Sequence, residues 1–412
     1  MTSIVAGVDP TNAPASAIAM DTATIPQGAA AEHLSIRRVS SMAVRVPIAE
    51  PVVTAFGVMT ERPMVLIAVE DRTGAIGWGE VWCNFPSVGA EHRAALAVEV
   101  LAPLLADRTW QGPAEAFVAL TRRSHALVLQ SGEVGPFAQT IAGLDQALWD
   151  LAAQHYGTPL WRALGGRGHH GVVRAYASGI NPAGAVATAL TAVDDGFRAV
   201  KLKLGFGRER DLERVAAVRA AVPASCELFT DANQAWDLPE AAHMSVALAD
   251  LGVGWLEEPM PVDSPLDHWR RLAYAAPLPL AGGENLRGAE FDAALSQHLL
   301  TIVQPDVGKW GGVTGCLRVA QEVVSRGLRY CPHWLGGGIG LAHSAHLLAA
   351  VGGDGWLEVD CNPNPLRTLV LGAGSLVAGD YRLPTSPGLG MVPDLPALTP
   401  WITAQYSRSL AG

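Results

Sequence analysis

Residues 199–259 read AVKLKLGFGRERDLERVAAVRAAVPASCELFTDANQAWDLPEAAHMSVALADLGVGWLEEP. They contain three short apolar strands separated by two stretches with helical periodicity; the strands are Ala199–Leu204, Glu227–Asp231 and Trp255–Glu257. Between Ser178 and Glu358 such a strand returns roughly every 25 residues, the length of one strand, one helix and two loops. This repeat predicts eight βα units that close into a barrel.

Each predicted strand ends in charged or polar side chains. In chain order these are Ser178, Lys201 and Lys203, Asp231 and Asn233, Glu257, Glu284, Asp306, His333 and Glu358. Catalytic groups of such barrels lie at the carboxyl ends of the strands. We therefore expect these side chains to share one active site.

The segment before the barrel has the pattern of an α+β domain. Its predicted strands are Arg37–Val46, Met64–Glu70 and Ile76–Val81, and its helical patterns lie at about 90–105, 113–129 and 135–156. After Asp360 the sequence becomes rich in proline and glycine. We predict a poorly ordered tail at 1–33, an α+β capping domain at 34–165, the barrel at 166–360, and a segment at 361–412 that returns to the capping domain.

The composition limits the classes of protein to which the chain can belong. Its 412 residues are 49% hydrophobic and 17% charged, which suits a well-buried α/β protein with room for two domains. The net charge is −10 and no basic run occurs, which argues against nucleic acid and anionic membranes as partners. A small carboxylate substrate stays compatible with this charge, because a local metal ion and lysines outweigh the overall field.

Cysteine usage and hydropathy indicate the compartment. Five cysteines without CxxC spacing predict reduced thiols rather than disulfides or a zinc site. No stretch is long and apolar enough to cross a membrane, and the N-terminal residues lack the basic start and apolar core of a signal peptide. We therefore expect a cytoplasmic protein. Assembly into a homo-oligomer is a separate expectation, which rests on neither feature.

Three acidic residues, Asp231, Glu257 and Glu284, close three successive strands, so their carboxylates are expected to converge above the barrel. Three like charges within a few ångströms repel one another and need a cation or protons. Oxygen ligands favour Mg²⁺, a hard ion that keeps coordination positions open for water or substrate. The alternative is that each carboxylate caps a helix or pairs with an arginine, but three in succession favour the metal.

Two lysines, Lys201 and Lys203, share one face of their strand, while Leu202 points the other way. A neighbouring ammonium and partial burial are expected to lower the pKa of such a lysine and make it available as a base. Two solvated lysines on an edge strand are the alternative, which the apolar neighbours Val200 and Leu204 argue against.

A histidine, His333, ends a later strand across the barrel from Lys203, and Asp306 ends the strand before it. A hydrogen bond to Asp306 would fix the tautomer of the imidazole and raise its basicity. Glu358 is expected to donate a hydrogen bond to an enolate oxygen if its neighbours raise its pKa. A hydrogen bond from backbone to Glu358 is the alternative.

With these positions assigned, the chain resembles the enolase superfamily, and within it the mandelate racemase subgroup. The matching segments are Val200–Lys203, Thr230–Asn233, Trp255–Pro259, Gly283–Asn285, Gln304–Asp306, Pro332–His333 and Trp356–Glu358. The similarity extends from about Ser35 to the C-terminal region. The resemblance implies a modified TIM barrel of the (β/α)₇β type beneath an N-terminal α+β capping domain.

The resemblance also implies a role for each strand-end residue. The ligands of one Mg²⁺ per subunit would be Asp231, Glu257 and Glu284; the catalytic groups would be Lys203, the Asp306–His333 dyad, Lys201 and Glu358; and Asn233 and Ser178 would bind substrate. In this interpretation Lys203 acts on one face of the substrate carbon and the dyad on the other. Lys201 contacts the substrate carboxylate, and Glu358 is its electrophilic partner.

Two features bear on specificity. The loop at Gly336–Gly340 is unusually rich in glycine for a mandelate racemase, and it either offers backbone amides to an anion or only bends the chain. The segments Ala49–Met59 and Trp82–Ser87 are expected to cover the site with apolar side chains. The role of Lys309 stays open.

The predicted reaction begins with removal of the proton α to a carboxylate, which gives an enediolate. We favour loss of a β-hydroxyl from an acid sugar, which makes the protein a dehydratase. Reprotonation from the opposite face would make it a racemase or epimerase of an α-hydroxy acid. A catalytically silent metal-binding scaffold is the alternative from another class, although such proteins usually lose a base or a ligand and none is missing here.

Overall fold

The computed structural model describes residues 33–106, 108–167, 171–371 and 376–410. The predicted tail at 1–33 therefore lies outside the described residues, apart from His33. The described part of the chain contains a four-stranded sheet and a larger sheet that includes the barrel.

The four-stranded sheet is antiparallel. Its strands are β1 (Ile36–Thr54), β2 (Gly57–Asp71), β3 (Ile76–Val81) and β14 (Ile402–Ser409). They are arranged in the order β14-β1-β2-β3. Strand β14 pairs with β1 from Ser409 opposite Arg38 to Ile402 opposite Val44, so the end of the chain returns to the first sheet.

Two helices, α1 (Ala90–Ala95) and α3 (Val134–His155), pack against this sheet. Helix α2 (Pro113–Ser131) packs against α3, and the short α4 (Leu160–Ala163) contacts α3 and the barrel helix at Gly338–Val351. Helix α3 lies very close to β3, because β3 carries Gly77 and Gly79 on the contacting face. A Cβ at either glycine would lie 2.0 Å from a backbone oxygen of α3, so larger residues would push the helix away from the sheet.

The larger sheet contains the eight parallel strands of the barrel. They are β4 (Val172–Ile180), β5 (Ala199–Lys203), β6 (Glu227–Asp231), β7 (Trp255–Glu257), β8 (Leu280–Gly282), β9 (Ile302–Val303), β10 (Arg329–Tyr330) and β11 (Leu357–Asp360). The intervening helices are α5 (Ala185–Asp194), α6 (Arg208–Ala221), α7 (Leu238–Asp250), α8 (Leu266–Ala275), α9 (Ala289–Ser296), α10 (Gly312–Ser325) and α11 (Gly338–Val351). Strand β11 pairs in parallel with β4. The predicted (β/α)₇β barrel is confirmed.

Shorter elements follow the barrel. They are α12 (Pro365–Leu371), β12 (Leu376–Val377), β13 (Asp380–Arg382) and α13 (Leu395–Leu398). Strand β13 pairs antiparallel with β4. The five cysteines are free thiols, four of them buried. No helix within the described ranges has the length and apolar character needed to span a membrane.

Strand β5 ends one residue earlier than predicted, and β8, β9 and β10 end two or three residues earlier, so Glu284, Asp306 and His333 lie just beyond the last three. Gly283 has a φ of 135°, which ends the regular strand before Glu284. A proline precedes both Asp306 and His333 and provides no N–H for a strand ladder. A single bridge between Asp306 and His333 continues the parallel pairing.

Inward-facing side chains of the barrel form an apolar layer beneath a polar layer. The apolar layer consists of Tyr176, Ala199, Phe229, Trp255, Ala281, Ile302, Cys331 and Trp356. The polar layer consists of the residues two positions further along seven of these segments. They are Ser178, Lys201, Asp231, Glu257, Gln304, His333 and Glu358, and all are buried. Because side chains two residues apart share one face of a strand, the packed apolar layer is the floor of the polar one.

The packed apolar layer predicts the effect of a substitution on the stability of the fold. Replacing Trp255 with Ala is expected to lower the free energy of unfolding by about 3–5 kcal/mol, because the ring is fully buried and stacks on Phe229 with centroids 3.4 Å apart. Urea denaturation measures the change. The control is Trp401→Ala, at a side chain 38% exposed, where a much smaller loss is expected. Equal losses at the two positions would contradict the packed floor.

Candidate active site

Strands β5, β6 and β7 bring the first charged residues of the site side by side. Lys203 pairs directly with Asp231, and Asp231 with Glu257, across adjacent parallel strands. Glu284 follows two residues after β8, and all four side chains are buried. The predicted acidic triad and lysine therefore lie along one edge of the barrel.

Lys201 is fully buried among carboxylates. Its Nζ lies 2.6 Å from Glu257 Oε2, 2.7 Å from Glu358 Oε1 and 3.9 Å from Asp231 Oδ2. Burial alone lowers the pKa of an ammonium, but Glu257 and Glu358 outweigh it and hold the pKa of Lys201 well above its usual value. Lys201 is therefore a fixed positive charge.

Lys203 has a different environment from the one expected. Its Nζ lies 2.6 Å from Asp231 Oδ2. Burial and the charge of Lys201 lower the pKa of Lys203, but Asp231 and Glu257 together raise it, and the net shift is upward. The expected lowering is wrong for this arrangement, because a direct ion pair outweighs a more distant ammonium.

The Asp306–His333 pair is in contact. His333 Nδ1 lies 2.6 Å from Asp306 Oδ2, and Nε2 lies 3.3 Å from Glu284 Oε2. Asp306 Oδ1 accepts the backbone N–H groups of Gly308 and Lys309 at 2.7 and 2.9 Å, which fixes the carboxylate. Burial lowers the pKa of the imidazole, but Glu284, Glu358 and Asp306 raise it to about 9. His333 is therefore protonated at neutral pH.

Glu358 has the opposite ionisation from the one expected. Its Oε1 accepts the hydroxyl of Ser178 at 2.5 Å, and its Oε2 accepts the N–H of Trp334 at 2.9 Å. Burial raises the pKa of Glu358, but Lys201 and His333 more than offset this and lower it to about 2. The expected raised pKa is therefore wrong, and Glu358 accepts hydrogen bonds in this arrangement.

Lys309 provides a third ammonium at the site. It contacts the carboxylate of Glu284, donates to Asn285 Oδ1 at 3.0 Å, and lies 4.6 Å from the centroid of the Trp82 ring. The strand repeat does not identify Lys309, but the scarcity of lysine in the sequence could have done so. Only three of the 29 Lys and Arg residues are lysines, and all three lie here.

The carboxylates of the acidic triad are held by these lysines. The pairs are Lys203–Asp231, Lys201–Glu257 and Lys309–Glu284. Within the part of the chain that the structure describes, no three His, Cys, Asp or Glu side chains stand in the arrangement of a preformed metal site.

The chemistry of the donor set nevertheless fits a hard cation. Glu257 Oε1 and Asn233 Oδ1 are buried oxygens that have no hydrogen-bond partner within the described ranges of the chain, and buried polar atoms normally have one. Asn233 also donates from Nδ2 to Asp231 Oδ2 at 3.2 Å. Carboxylate and amide oxygens are the ligands that Mg²⁺ prefers. The residues therefore fit a magnesium ion, although lysines pair with other oxygens of the same carboxylates.

The Gly-rich loop at Gly336–Gly340 offers backbone N–H groups to a carboxyl group of the protein itself, that of Glu80. The N–H groups of Gly337 and Gly340 donate to the two carboxylate oxygens of Glu80 at 2.5 and 3.0 Å. A Cβ on Gly340 would lie 2.0 Å from the ring of Trp334. The loop after His333 is thus fastened to β3 of the first sheet.

This contact predicts a pH dependence of stability. Burial raises the pKa of Glu80 from 4.5 to about 7, although the glycine N–H groups oppose the shift. Between these pH values the folded protein keeps a proton that the unfolded chain has lost, so this group makes stability fall as pH rises. Replacing Glu80 with Gln is expected to remove a penalty on the order of 1–3 kcal/mol above pH ~7.

The measurement is the melting temperature at pH 5 and pH 8. The difference in melting temperature, variant minus wild type, is expected to be more positive at pH 8 than at pH 5 for Glu80→Gln. Glu99→Gln, at an exposed carboxylate, is the matched control. A difference between wild type and variant that is the same at both pH values would contradict the prediction.

A cavity of about 50 Å³ lies between the strand ends and the first sheet. The barrel contributes Gly179, Lys203, Asn233, Glu284, Lys309, His333, Leu335, Asp360 and Asn362, and the first sheet and its connections contribute Val52, Thr54, Phe56, Met59, Arg62, Trp82, Asn84 and Phe85. Cavities of about 400 and 270 Å³ lie elsewhere, and their described walls contain neither a lysine nor His333. Chemistry rather than size identifies the site.

Comparison with known families covers both parts of the chain. Residues 36–165 match the mandelate racemase / muconate lactonizing enzyme N-terminal domain, and residues 184–397 match the enolase C-terminal domain-like family. D-galactarolactone cycloisomerase of Agrobacterium fabrum is 32% identical over 82% of this chain and 91% of its own. Arabinonate dehydratase of Saccharolobus solfataricus is 29% identical over 81% and 89%.

Solved structures agree with this result. A mandelate racemase/muconate lactonizing enzyme from Bordetella bronchiseptica is 50% identical, with a TM-score of 0.84 over 89% of this chain and 99% of that one. A racemase from Streptomyces coelicolor with bound magnesium is 27% identical, with a TM-score of 0.78 over 89% and 100%.

Proposed function

Because this chain belongs to the mandelate racemase/muconate lactonizing enzyme family of the enolase superfamily, we propose that it removes the proton α to the carboxylate of an acid sugar and then expels the oxygen on the β-carbon. One observation carries this proposal: a single cavity has both Lys203 and the Asp306-bound His333 in its wall. Two proton-transfer groups around one cavity can serve both the abstraction and the leaving oxygen.

Each residue has a separate task in this proposal. Lys201, permanently charged, pairs with the substrate carboxylate and stabilises the negative charge that develops there. Lys203 takes the α-proton on its Nζ. His333 gives the proton on Nε2 to the leaving oxygen, while Asp306 keeps Nδ1–H in place. Glu358 orients Lys201 and His333 through its negative charge, and Asn233 and Ser178 are proposed substrate contacts.

The proposed metal ligands are Asp231, Glu257 and Glu284. A Mg²⁺ ion held by them would supply positive charge for the enediolate and compete with Lys203 for Asp231, which lowers the pKa of Lys203 toward that of a base. A relative of known structure carries bound magnesium, which supports this ion for the present chain.

The leaving oxygen decides the name of the reaction. If it is a hydroxyl, water is lost and the enol that remains becomes a 2-keto-3-deoxy acid. Loss of water is the reaction in the name of the relative arabinonate dehydratase. If it belongs to a ring, the same elimination opens the ring and gives an isomer, which suits a cycloisomerase. The proposed elimination is therefore common to both kinds of relative.

Racemisation is the second candidate, because the same two proton-transfer groups also permit reprotonation of the α-carbon. The experiment is to incubate the Mg²⁺-loaded protein in D₂O with acid sugars, their lactones and α-hydroxy acids, and to follow each by proton NMR. Elimination is expected for at least one acid sugar or lactone. Deuterium exchange at the α-carbon without elimination would favour racemisation, and no reaction of any acid would contradict the proposal.

A further inference from the structure

The cavity has a second polar wall that the reaction above does not use. Arg62 from β2, Asp360 at the end of β11 and Asn362 just after it all line the cavity. Arg62 Nη2 lies 2.5 Å from Asp360 Oδ2, and their side chains are only 2% and 3% exposed. We propose that this wall binds a hydroxyl group at the far end of the substrate, so that the substrate is a monocarboxylic acid sugar rather than a dicarboxylic one. This inference rests on the proposed function.

The position of the wall suits the far end of a carbon chain. Asp360 follows Glu358 by two residues on the same face of β11. It therefore lies about 6–7 Å further out along the strand, roughly the span of a few carbon atoms. Arg62 shares its face of β2 with Met64 and Leu66, which pack into the core cluster of the barrel. The side chain thus points from the first sheet toward the strand ends.

The hydrogen-bond inventory leaves donors without partners. Asp360 Oδ1 accepts from the backbone N–H of Asn362 at 3.0 Å and from its side-chain amide at 2.8 Å. Among the residues that the structure describes, Arg62 Nη1 has only the sulfur of Met59 at 3.6 Å, and the buried Nε has no partner. A buried guanidinium N–H without an acceptor is destabilising, and an oxygen atom of a ligand would relieve it.

The charges favour a hydroxyl over a second carboxylate. Asp360 already neutralises Arg62, so a carboxylate would have to share that guanidinium with a negative neighbour. Arg367 adds positive charge nearby, but it contacts the backbone oxygen of Asp360 and is not part of the cavity wall. A hydroxyl accepts from Arg62 without bringing charge close to Asp360.

Calorimetric binding tests this inference without requiring turnover. The ligands are a six-carbon aldonate, its 6-deoxy analogue and the corresponding aldarate, each added to the wild type with Mg²⁺ present. The wild type is expected to bind the aldonate about 10- to 100-fold more tightly than the deoxy analogue, the usual value of a hydrogen bond to a charged donor. The aldarate is expected to bind more weakly than the aldonate.

The variant is the double replacement R62M/D360N, which removes both charges together and leaves neither buried unpaired. It is expected to bind the aldonate and the deoxy analogue equally well. The control is Arg208→Met, at an exposed arginine on α6, which should keep the wild-type preference. Equal binding by the wild type, tightest binding of the aldarate, or a preference that survives in R62M/D360N would each overturn the subsite.

The proposed function is measured separately on the same proteins and acids. They are mixed in D₂O, and proton NMR reports loss of the α-proton. A preference for the aldonate without loss of the α-proton would support the subsite and contradict the proposed reaction. Loss of the α-proton without a preference for the aldonate would support the proposed reaction and contradict the subsite. Binding of none of the three acids would contradict both.

Discussion

Replacing Lys203 with Met is expected to lower kcat by about 10³-fold or more, because general base catalysis by a positioned side chain contributes 10²–10⁴-fold. The variant keeps a side chain of similar length next to Asp231 but has no nitrogen to take the α-proton. Because the role proposed for Lys203 lies in the chemical step, KM is expected to change much less than kcat. Steady-state kinetics on the acid identified by the D₂O experiment provides the measurement.

A structural effect of this replacement is excluded by two controls. The Lys203→Met variant loses the partner of a buried carboxylate, so a lower melting temperature is expected, but it should unfold in a single transition and still bind Mg²⁺. Arg208→Met, which also removes a positive charge but at an exposed position, should keep wild-type kcat. A Lys203→Met variant with kcat within about tenfold of the wild type would remove Lys203 from the chemistry.

Replacing Glu257 with Gln is expected to weaken Mg²⁺ binding by at least about 100-fold, since loss of a ligand should exceed the 10–100-fold cost of losing a residue that only supports one. Activity at low Mg²⁺ should fall with it, and chelation of the wild type with EDTA should abolish activity until Mg²⁺ is restored. The replaced carboxylate has a buried oxygen, Oε1, for which the described part of the chain provides no hydrogen-bond partner.

Metal binding can be measured apart from activity. A ligand that binds only the folded state stabilises it by about 2.7 kcal/mol at 100 times its Kd, so Mg²⁺ should raise the melting temperature of the wild type. The Glu257→Gln variant should show little of this increase, whereas Glu99→Gln, at an exposed carboxylate, should show all of it. An unchanged response in the Glu257→Gln variant would exclude Glu257 as a ligand.

The sequence predicts the barrel and most of its polar layer from two regularities. Side chains that face the same way recur every two residues within a strand, and strands recur roughly every 25 residues along the chain. Apolar residues such as Phe229 and Trp255 are each followed two positions later by a carboxylate. This alternation places the carboxylates inward at one end of the barrel once the fold is known. The pairing of His333 with Asp306 follows in the same way from adjacent strand ends.

Other features of the site could not be read from periodicity. Lys309 lies in a loop after β9, where no strand pattern defines the direction of a side chain. Arg62 begins a run of six buried residues, Arg62–Ile67, with neighbours on both faces, so alternation does not reveal which face meets the cavity. Glu80 accepts a hydrogen bond from Gly337, which is more than 250 residues away in the sequence, so no local pattern reveals the contact.

The ionisation of the site depends on several elements at once. Glu358 is held ionised by Lys201 from β5 and by His333 after β10. Lys203 responds more to Asp231 than to the neighbouring Lys201. Because the magnitudes depend on distances that only the folded chain defines, the direction of these pKa shifts could not be obtained from residue types alone.

The most direct test of the account is the rate at which an acid sugar loses its α-proton in D₂O, followed by proton NMR for the wild type, Lys203→Met and His333→Asn with Mg²⁺ present. The account predicts rapid loss with the wild type and no loss after EDTA. It predicts α-proton loss at least about 100-fold slower in Lys203→Met, and elimination at least about 100-fold slower in His333→Asn. Wild-type rates in both variants, or a wild-type rate that persists without a divalent cation, would contradict it.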